Sequence, residues 1–328
     1  MGKPTDGTTA GIDGEHVEVT LFDVSEIPRE LNLAEKFIVP PFSILAADGG
    51  WWQGRKRQWK DIGLRSEEGR DVRAYGSNTD TSDLGQHINS ISGGQSIFDP
   101  TLTELAYRWF CPPGGKVIDP FSGGSVRGVV ASYFGHHYTG IDLSERQIEA
   151  NYVNLSEIEK SEGKLPGSIN WVHGDSLVTV PKVVEPESQD MCLSCPPYYD
   201  LEVYSDGDGD ISAMTWENFL QNYREIIAAT VASLKPNTFV VWVITEIRDK
   251  KTGLYRNFVG ETVRAFEDAG ASYYNEIILA TPVGSVAQMS EKQMRASRKI
   301  GRRHQNVQIY VKGDPKKATQ NLDPIKIV

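Results

Sequence analysis

Apolar residues in this chain cluster into short runs separated by amphipathic stretches, and the alternation holds from residue 96 to residue 313. Val117–Asp119, Tyr138–Asp142, Ile169–His173, Met191–Leu193, Phe239–Thr245, Tyr273–Ala280 and Val307–Val311 read as strands. Phe239–Thr245 is apolar on both faces, as a strand covered by helices on both sides must be. Leu102–Phe110, Val126–Phe134, Leu143–Glu159, Trp216–Leu234 and Asn257–Ala269 read as helices, with a basic helix between the last two strands. Seven strands with helices between them predict an α/β, doubly wound sheet. Residues 1–16, rich in Gly, Thr and Asp, predict a disordered tail. Residues 17–95 lack a clear period and predict an irregular N-terminal extension packed on the main domain, a candidate target-recognition element. Within it, 75–95 reads as a loop that orders on binding. Residues 96–313 make up the main domain and 314–328 a C-terminal tail. There is no internal repeat.

Two strand ends carry the candidate chemistry. Val117-Ile118-Asp119 breaks into Pro120-Phe121-Ser122-Gly123-Gly124-Ser125, with a helix beginning near Val126. An acid, a small-residue turn and free backbone N–H groups at the carboxyl edge of a parallel sheet are where nucleotide-like ligands bind. The second strand end, Met191-Cys192-Leu193, leads into Ser194-Cys195-Pro196-Pro197-Tyr198-Tyr199. Two prolines stiffen that loop beside an aromatic ring, which suits a flat base. Together the ends predict a nucleoside cofactor and a planar substrate. The pattern Gly-x-Gly-x-x-Gly is absent, which argues against a nicotinamide dehydrogenase.

Asp-Pro-Phe-Ser-Gly-Gly-Ser resembles the cofactor motif, Asp-Pro-Phe-x-Gly-Ser-Gly, of S-adenosylmethionine-dependent DNA methyltransferases that modify exocyclic amines. Cys-Pro-Pro-Tyr resembles their catalytic motif, Asp/Asn/Ser-Pro-Pro-Tyr/Phe/Trp. The resemblance covers roughly residues 96–313, and the whole is similar to small methylases of bacteriophages and prophages. It implies a seven-stranded Rossmann-like methyltransferase sheet ending in an antiparallel edge pair, with S-adenosylmethionine as cofactor and DNA as partner. In that reading Asp119 faces the methionine ammonium through water or backbone, Asp142 accepts the ribose hydroxyls and Asp175 receives the adenine amine. Pro120, Phe121, Gly123, Gly124, Ser125 and Ser194 line the cofactor, and so, upstream, do Phe98 and Asp99. Capping by Asp99, with Pro100 at the first helical position, explains those two residues equally well.

Methylating an exocyclic amine needs an oxygen acceptor for its hydrogen and a face to stack a base taken out of the duplex. Cys195, Pro196, Pro197 and Tyr198 are the candidate catalytic residues, with Tyr198 as the stacking ring. Cys195 departs from the motif, since a thiol is a poor acceptor. Three readings stay open. Ser194, Asp200 or a backbone carbonyl supplies the acceptor; or Cys195 is a nucleophile toward pyrimidine carbon-6 in a carbon-5 methyltransferase; or the chain binds without catalysing. An RNA or small-molecule methyltransferase is the competing class.

Composition narrows these readings only slightly. Hydrophobic residues make up 39% and charged residues 24%, ordinary for a globular chain. There is no long apolar run for a membrane helix and no apolar core of a signal peptide, so no membrane partner and a cytoplasmic location are expected. Three cysteines without metal-site spacing predict neither a disulfide framework nor a metal site. The net charge is −10, but residues 291–317 hold nine basic and two acidic residues, +7 on a body of −17. Phosphate contacts are therefore expected at Arg298, Arg302 and Arg303, and a second basic patch, Arg55 and Arg57 with Trp51, Trp52 and Trp59, is expected to stack on and clamp a nucleic-acid strand. Core packing of the tryptophans, including Trp59, would serve the sequence as well. The Asp/Gly-rich run 206–210, near Tyr204, lacks the frame of a calcium loop. It reads as a loop over the substrate.

Overall fold

The computed structural model describes residues 41–65, 98–199, 211, 214–282 and 286–324, with backbone alone for 286–289. The expected tail 1–16, the loop 75–95, Asp200, Tyr204 and the run 206–210 lie outside the described residues. The strands are β1 (Ile44–Ala46), β2 (Lys116–Asp119), β3 (His137–Asp142), β4 (Ser168–His173), β5 (Gln189–Ser194), β6 (Leu234–Ile244), β7 (Ser272–Ala280) and β8 (His304–Lys312). The helices are α1 (Gly50–Asp61), α2 (Pro100–Phe110), α3 (Val126–Tyr133), α4 (Glu145–Glu162), α5 (Ser176–Val183), α6 (Trp216–Ser233), α7 (Phe258–Asp268), α8 (Val286–Ser297) and α9 (Pro315–Thr319).

All eight strands join one sheet in the order β1-β7-β8-β6-β5-β2-β3-β4. Only β8 runs antiparallel to its neighbours. The chain winds outward from β2 through β3 to β4, then returns to β5 on the other side of β2. The order therefore reverses between β2 and β5, and ligands of open α/β sheets bind outside the strand ends at such a reversal.

Strand alternation divides the interior into two layers. Val117, Met191, Leu193, Phe239, Val241 and Val243 face one buried cluster, and Ile118, Cys192, Val240, Trp242 and Ile244 face the other. The expected seven strands become eight because β1, three residues long, is too short to announce itself. It pairs in parallel with β7, Leu45 opposite Leu279. Helix α5 was also unexpected, since it holds Pro181 among β-branched residues. The tail expected from residue 314 begins as structure: Asp314 accepts from the Lys316 N–H, and Ala318 is buried.

Helix α1 corrects the nucleic-acid reading of the second basic patch and bears out the packing alternative for Trp52 and Trp59. Residues 52, 55 and 59 recur at helical spacing on one face, and all three are buried. Arg55 grips the buried carboxylate of Glu104 on α2 with two bonds of 2.7 and 2.8 Å, and the Trp59 indole donates to the same group at 2.9 Å. A charge removed from water is tolerated only when paired in this way. Trp52 and Arg55 thus fasten α1 to α2 and are not surfaces for a nucleic acid. Trp51 is half-buried, edge-on to Trp52, and Arg57 is exposed. No described helix is long and apolar enough to cross a membrane.

Just before β3, His136 is buried beside Cys111 Sγ (3.6 Å). Burial, with His137 adding to it, pushes its imidazole down to about 4. Between about pH 6.5 and about 4 the unfolded chain binds a proton that the folded chain refuses, so stability falls as pH falls. We expect a loss of about 3 kcal/mol across that window, at about 1.4 kcal/mol per pH unit. Urea unfolding of the parent and of His136→Leu, at about pH 7 and about pH 4.5, measures it. An equal acid sensitivity in both proteins would discount His136.

Candidate functional site

Asp119 ends β2 at the reversal point and is fully buried. Its Oδ1 accepts from Phe121 N (3.1 Å) and Ser194 Oγ (2.6 Å). Its Oδ2 accepts from Arg127 Nε (2.5 Å) and Tyr138 Oη (2.7 Å). A carboxylate has about four acceptor sites, and here all are used. The carboxylate is therefore a structural hub beneath the turn, which leaves the Asp119 backbone for the expected indirect contact with an ammonium. Ser194 is likewise fully buried, its hydroxyl donating to Asp119, and it is this burial that keeps it off an open cofactor surface and away from a substrate amine. This bond joins the two motif-bearing strand ends directly.

Arg127, on α3, threads under the turn. Beyond Asp119 it donates to the carbonyls of Phe121 (2.5 Å) and Ser122 (3.0 Å), and its guanidinium lies 4.4 Å from the Phe98 ring centre. Burial opposes its charge, but Asp119 outweighs that and holds it protonated. Phe98 so packs over this cation. Asp99 is corrected as well. Its Oδ1 caps α2 through Thr101 N and Leu102 N, and its Oδ2 takes Trp52 Nε1 and Lys56 Nζ, both at 3.1 Å.

Above this hub sits the glycine turn. Gly123 has φ +52, a left-handed conformation that favours glycine. Its N–H donates to Asp142 Oδ2 (2.7 Å), and its carbonyl accepts from Asn151 Nδ2 (2.7 Å) on α4. Asp142, half-buried at the end of β3, also takes the Ser144 N–H at 2.9 Å. Nearby on β3, a Cβ at Gly140 would stand 2.7 Å from Ser122 Cβ, so only glycine lets the strand pass the turn. Ser125 precedes α3 without capping it by side chain, and its hydroxyl is directed to Asn154 (2.8 Å). Gly124 and Pro120 complete the turn; the Pro120 carbonyl accepts from Ser176 Oγ. Phe121, half-buried, meets Trp242 edge-on. Asp175 caps α5 through Oδ1 to Leu177 N (2.9 Å), and its Oδ2 has no partner among the described residues.

The Ser194–Tyr199 loop stands beside the turn. Cys195 is half-buried, its Sγ 3.3 Å from Tyr198 Oη, which accepts from Gln305 Nε2 at 3.2 Å. Tyr198, expected as an open stacking face, is only 8% exposed, its ring joined to the interior cluster of the α6 side. Pro196 is buried and Pro197 half-buried. Tyr199, at φ +50, packs on Trp216 and Phe219, with the Arg256 guanidinium 5.1 Å from its ring centre.

Of the three basic residues expected near phosphate, Arg298 is exposed, Arg302 donates to Thr245 Oγ1 (3.0 Å), and Arg303 pairs with Asp48 at 2.7 Å. Sequence reasoning missed Arg127, Tyr138, Asn151 and Gln305. Arg127 lies eight residues after Asp119, inside an apolar helix, and a lone arginine there was the available signal. No cluster of three His, Cys, Asp or Glu side chains suited to a metal occurs among the described residues.

No family model matches the sequence, and no curated protein matches it. Among solved structures, TrmN from Thermus thermophilus is similar at a TM-score of 0.43 and 16% identity, over 66% of this chain and 50% of that one. This chain thus spans half the length of TrmN. A SAM-dependent methyltransferase from Methanosarcina mazei gives 0.42 at 12% identity, over 67% and 99%. Geranyl diphosphate methyltransferase in complex with GPP and sinefungin gives 0.44 at 15%, over 76% and 88%. Likeness this distant identifies no substrate, and the functional reading rests on the residues of the site.

Proposed function

We propose that this protein is an S-adenosylmethionine-dependent methyltransferase that acts on an exocyclic amine of a DNA base. The observation that carries the reading is the bond between Ser194 and Asp119, which joins the glycine turn and the Pro-Pro-Tyr loop across the reversal of the sheet. Cofactor and substrate loops of one transfer reaction need that adjacency.

The residues present fit the nucleoside half of the cofactor. Asp142, half-buried at its strand end, would accept the ribose hydroxyls, and the unpartnered Oδ2 of Asp175 would accept the adenine amine. The left-handed Gly123 and the uncapped start of α3 offer backbone to the methionine half, while Asp119 holds the turn from below. Bound there, S-adenosylmethionine supplies an electrophilic methyl group. The chain's own part is to orient the amine and accept hydrogen bonds from its N–H groups, and the proton released after transfer passes to solvent. With Ser194 buried and Cys195 a weak acceptor, that part falls to the carbonyls of the stiff 195–197 loop and to the Gln305 amide oxygen.

Mass spectrometry of nucleosides from DNA incubated with the protein and isotopically labelled cofactor tests the proposal. Labelled N-methyladenine or N-methylcytosine supports it; label at carbon-5 of cytosine, or none in DNA, overturns it. Cys195→Ser separates the chemistries further. Amine transfer is expected to keep its rate or gain, because a hydroxyl accepts better than a thiol. A nucleophilic cysteine would instead lose its rate by about a hundredfold or more.

A further inference from the structure

Beyond the carboxyl end of β6, residues 247–256 form a tight hairpin beside the Pro-Pro-Tyr loop. Arg248 and Tyr255 face each other as an antiparallel bridge, and Arg256 N donates to the Ile247 carbonyl at 2.9 Å. Asp249 locks the tip: it accepts from Lys251 N, Thr252 N and Thr252 Oγ1, and it pairs with Arg256 at 2.5 Å. Arg256 in turn lies over Tyr199 and Trp216, so the hairpin is held against the candidate substrate loop.

On this frame Tyr255 stands 48% exposed, with two guanidiniums at its ring: Arg248 at 3.8 Å and Arg302 at 5.3 Å from the centroid. Arg248 otherwise bonds to the Gly253 carbonyl, and Arg302 to Thr245 Oγ1. Neither meets a carboxylate among the described residues. Two like charges gathered on one ring repel each other, and an anion relieves that repulsion. Hydrogen bonding from Arg302 also draws the phenol of Tyr255 below its ordinary range. Leu254 and Ile300, 68% and 74% exposed, add apolar surface, and Lys299 lies against Gly253. Cations, an open aromatic–guanidinium layer and apolar flanks together suit alternating phosphates and bases.

We propose that the 247–256 hairpin and Arg302 form a docking platform for an unpaired DNA strand, the Arg248–Tyr255 layer stacking on a base and the two arginines holding phosphates. This rests on the proposal that DNA is the substrate, and adds to it the surface that would guide a strand toward the Ser194–Tyr199 loop.

Fluorescence anisotropy with a labelled single-stranded DNA oligonucleotide tests it, using the full chain across a salt series. Tyr255→Ala is expected to weaken binding about tenfold. Arg248→Ala with Arg302→Ala is expected to flatten the slope of log affinity against log salt by about 1.4, the share of two phosphates. Lys160→Ala, exposed on the last turn of α4, is expected to bind as the parent does. Cofactor binding by calorimetry, unchanged in all variants, reports that they are folded. If the parent binds DNA and the hairpin variants bind as tightly with the same salt slope, the platform is overturned while the DNA reading stands. If the parent does not bind DNA, the DNA reading fails and the platform fails with it.

Discussion

Replacing Asp119 with leucine is expected to destabilise the fold by about 3–5 kcal/mol, the cost of leaving a buried charge without its partner. The substitution strands Arg127, 4% exposed, with only the carbonyls of Phe121 and Ser122, and it strips Tyr138 Oη and Ser194 Oγ of their acceptor. Each buried hydroxyl left unmatched costs about 1–3 kcal/mol by itself, so the range quoted assumes that water or local shifts recover part of it. Urea unfolding measures the loss. A double variant, Asp119→Leu with Arg127→Met, identifies its origin: removing the orphaned guanidinium should recover part of the stability, because buried ion pairs exchange well for apolar residues of similar volume. A single variant costing less than about 1 kcal/mol, the range of exposed pairs, would contradict the hub. The same experiment separates this role from the ammonium contact expected from the motif. An acid that merely touched the cofactor would be lost with little change in unfolding.

The strand ends were legible in the sequence because each has a local signature. Asp119, Asp142 and Asp175 each close an apolar run and precede a helix, and the structure has them at or just past the ends of β2, β3 and β4. What the sequence hid is which acids are spent on the protein itself. Asp119 and Asp142 look alike in one dimension, yet the first is saturated by donors from residues 121, 127, 138 and 194 while the second stays half-buried at the edge. Partners so far apart in the chain leave no periodic trace. The same reason leaves two readings of α1 open in the sequence. Trp52, Arg55 and Trp59 resemble a basic aromatic clamp until Asp99 and Glu104, over forty residues away, supply their partners. Short β1 and the proline-bearing α5 were hidden for a different reason, since tertiary packing overrides weak local preference there.

Asp142→Ala is expected to weaken S-adenosylmethionine binding about a hundredfold. Hydrogen bonds from two ribose hydroxyls to a carboxylate are worth about 1.5 kcal/mol or more apiece, and about 3 kcal/mol is a little over two decades of affinity. The substitution also frees the N–H groups of Gly123 and Ser144, which lie near the surface and can turn to water, so unfolding should shift by only about 1–2 kcal/mol. Titration calorimetry with the cofactor, alongside urea unfolding, reads both effects on one preparation. Asp142→Asn sharpens the test. The amide keeps one acceptor oxygen, but its NH2 must face either the Gly123 or the Ser144 N–H and can only donate toward the ribose, so affinity is expected to fall between those of the parent and the alanine variant. Unchanged affinity in Asp142→Ala, with the fold intact, would remove the acid from the cofactor site and leave it as a clamp on the glycine turn. A loss of affinity together with a large loss of stability would assign it to the buried hub with Asp119, since only groups that hold the turn from below should weaken both.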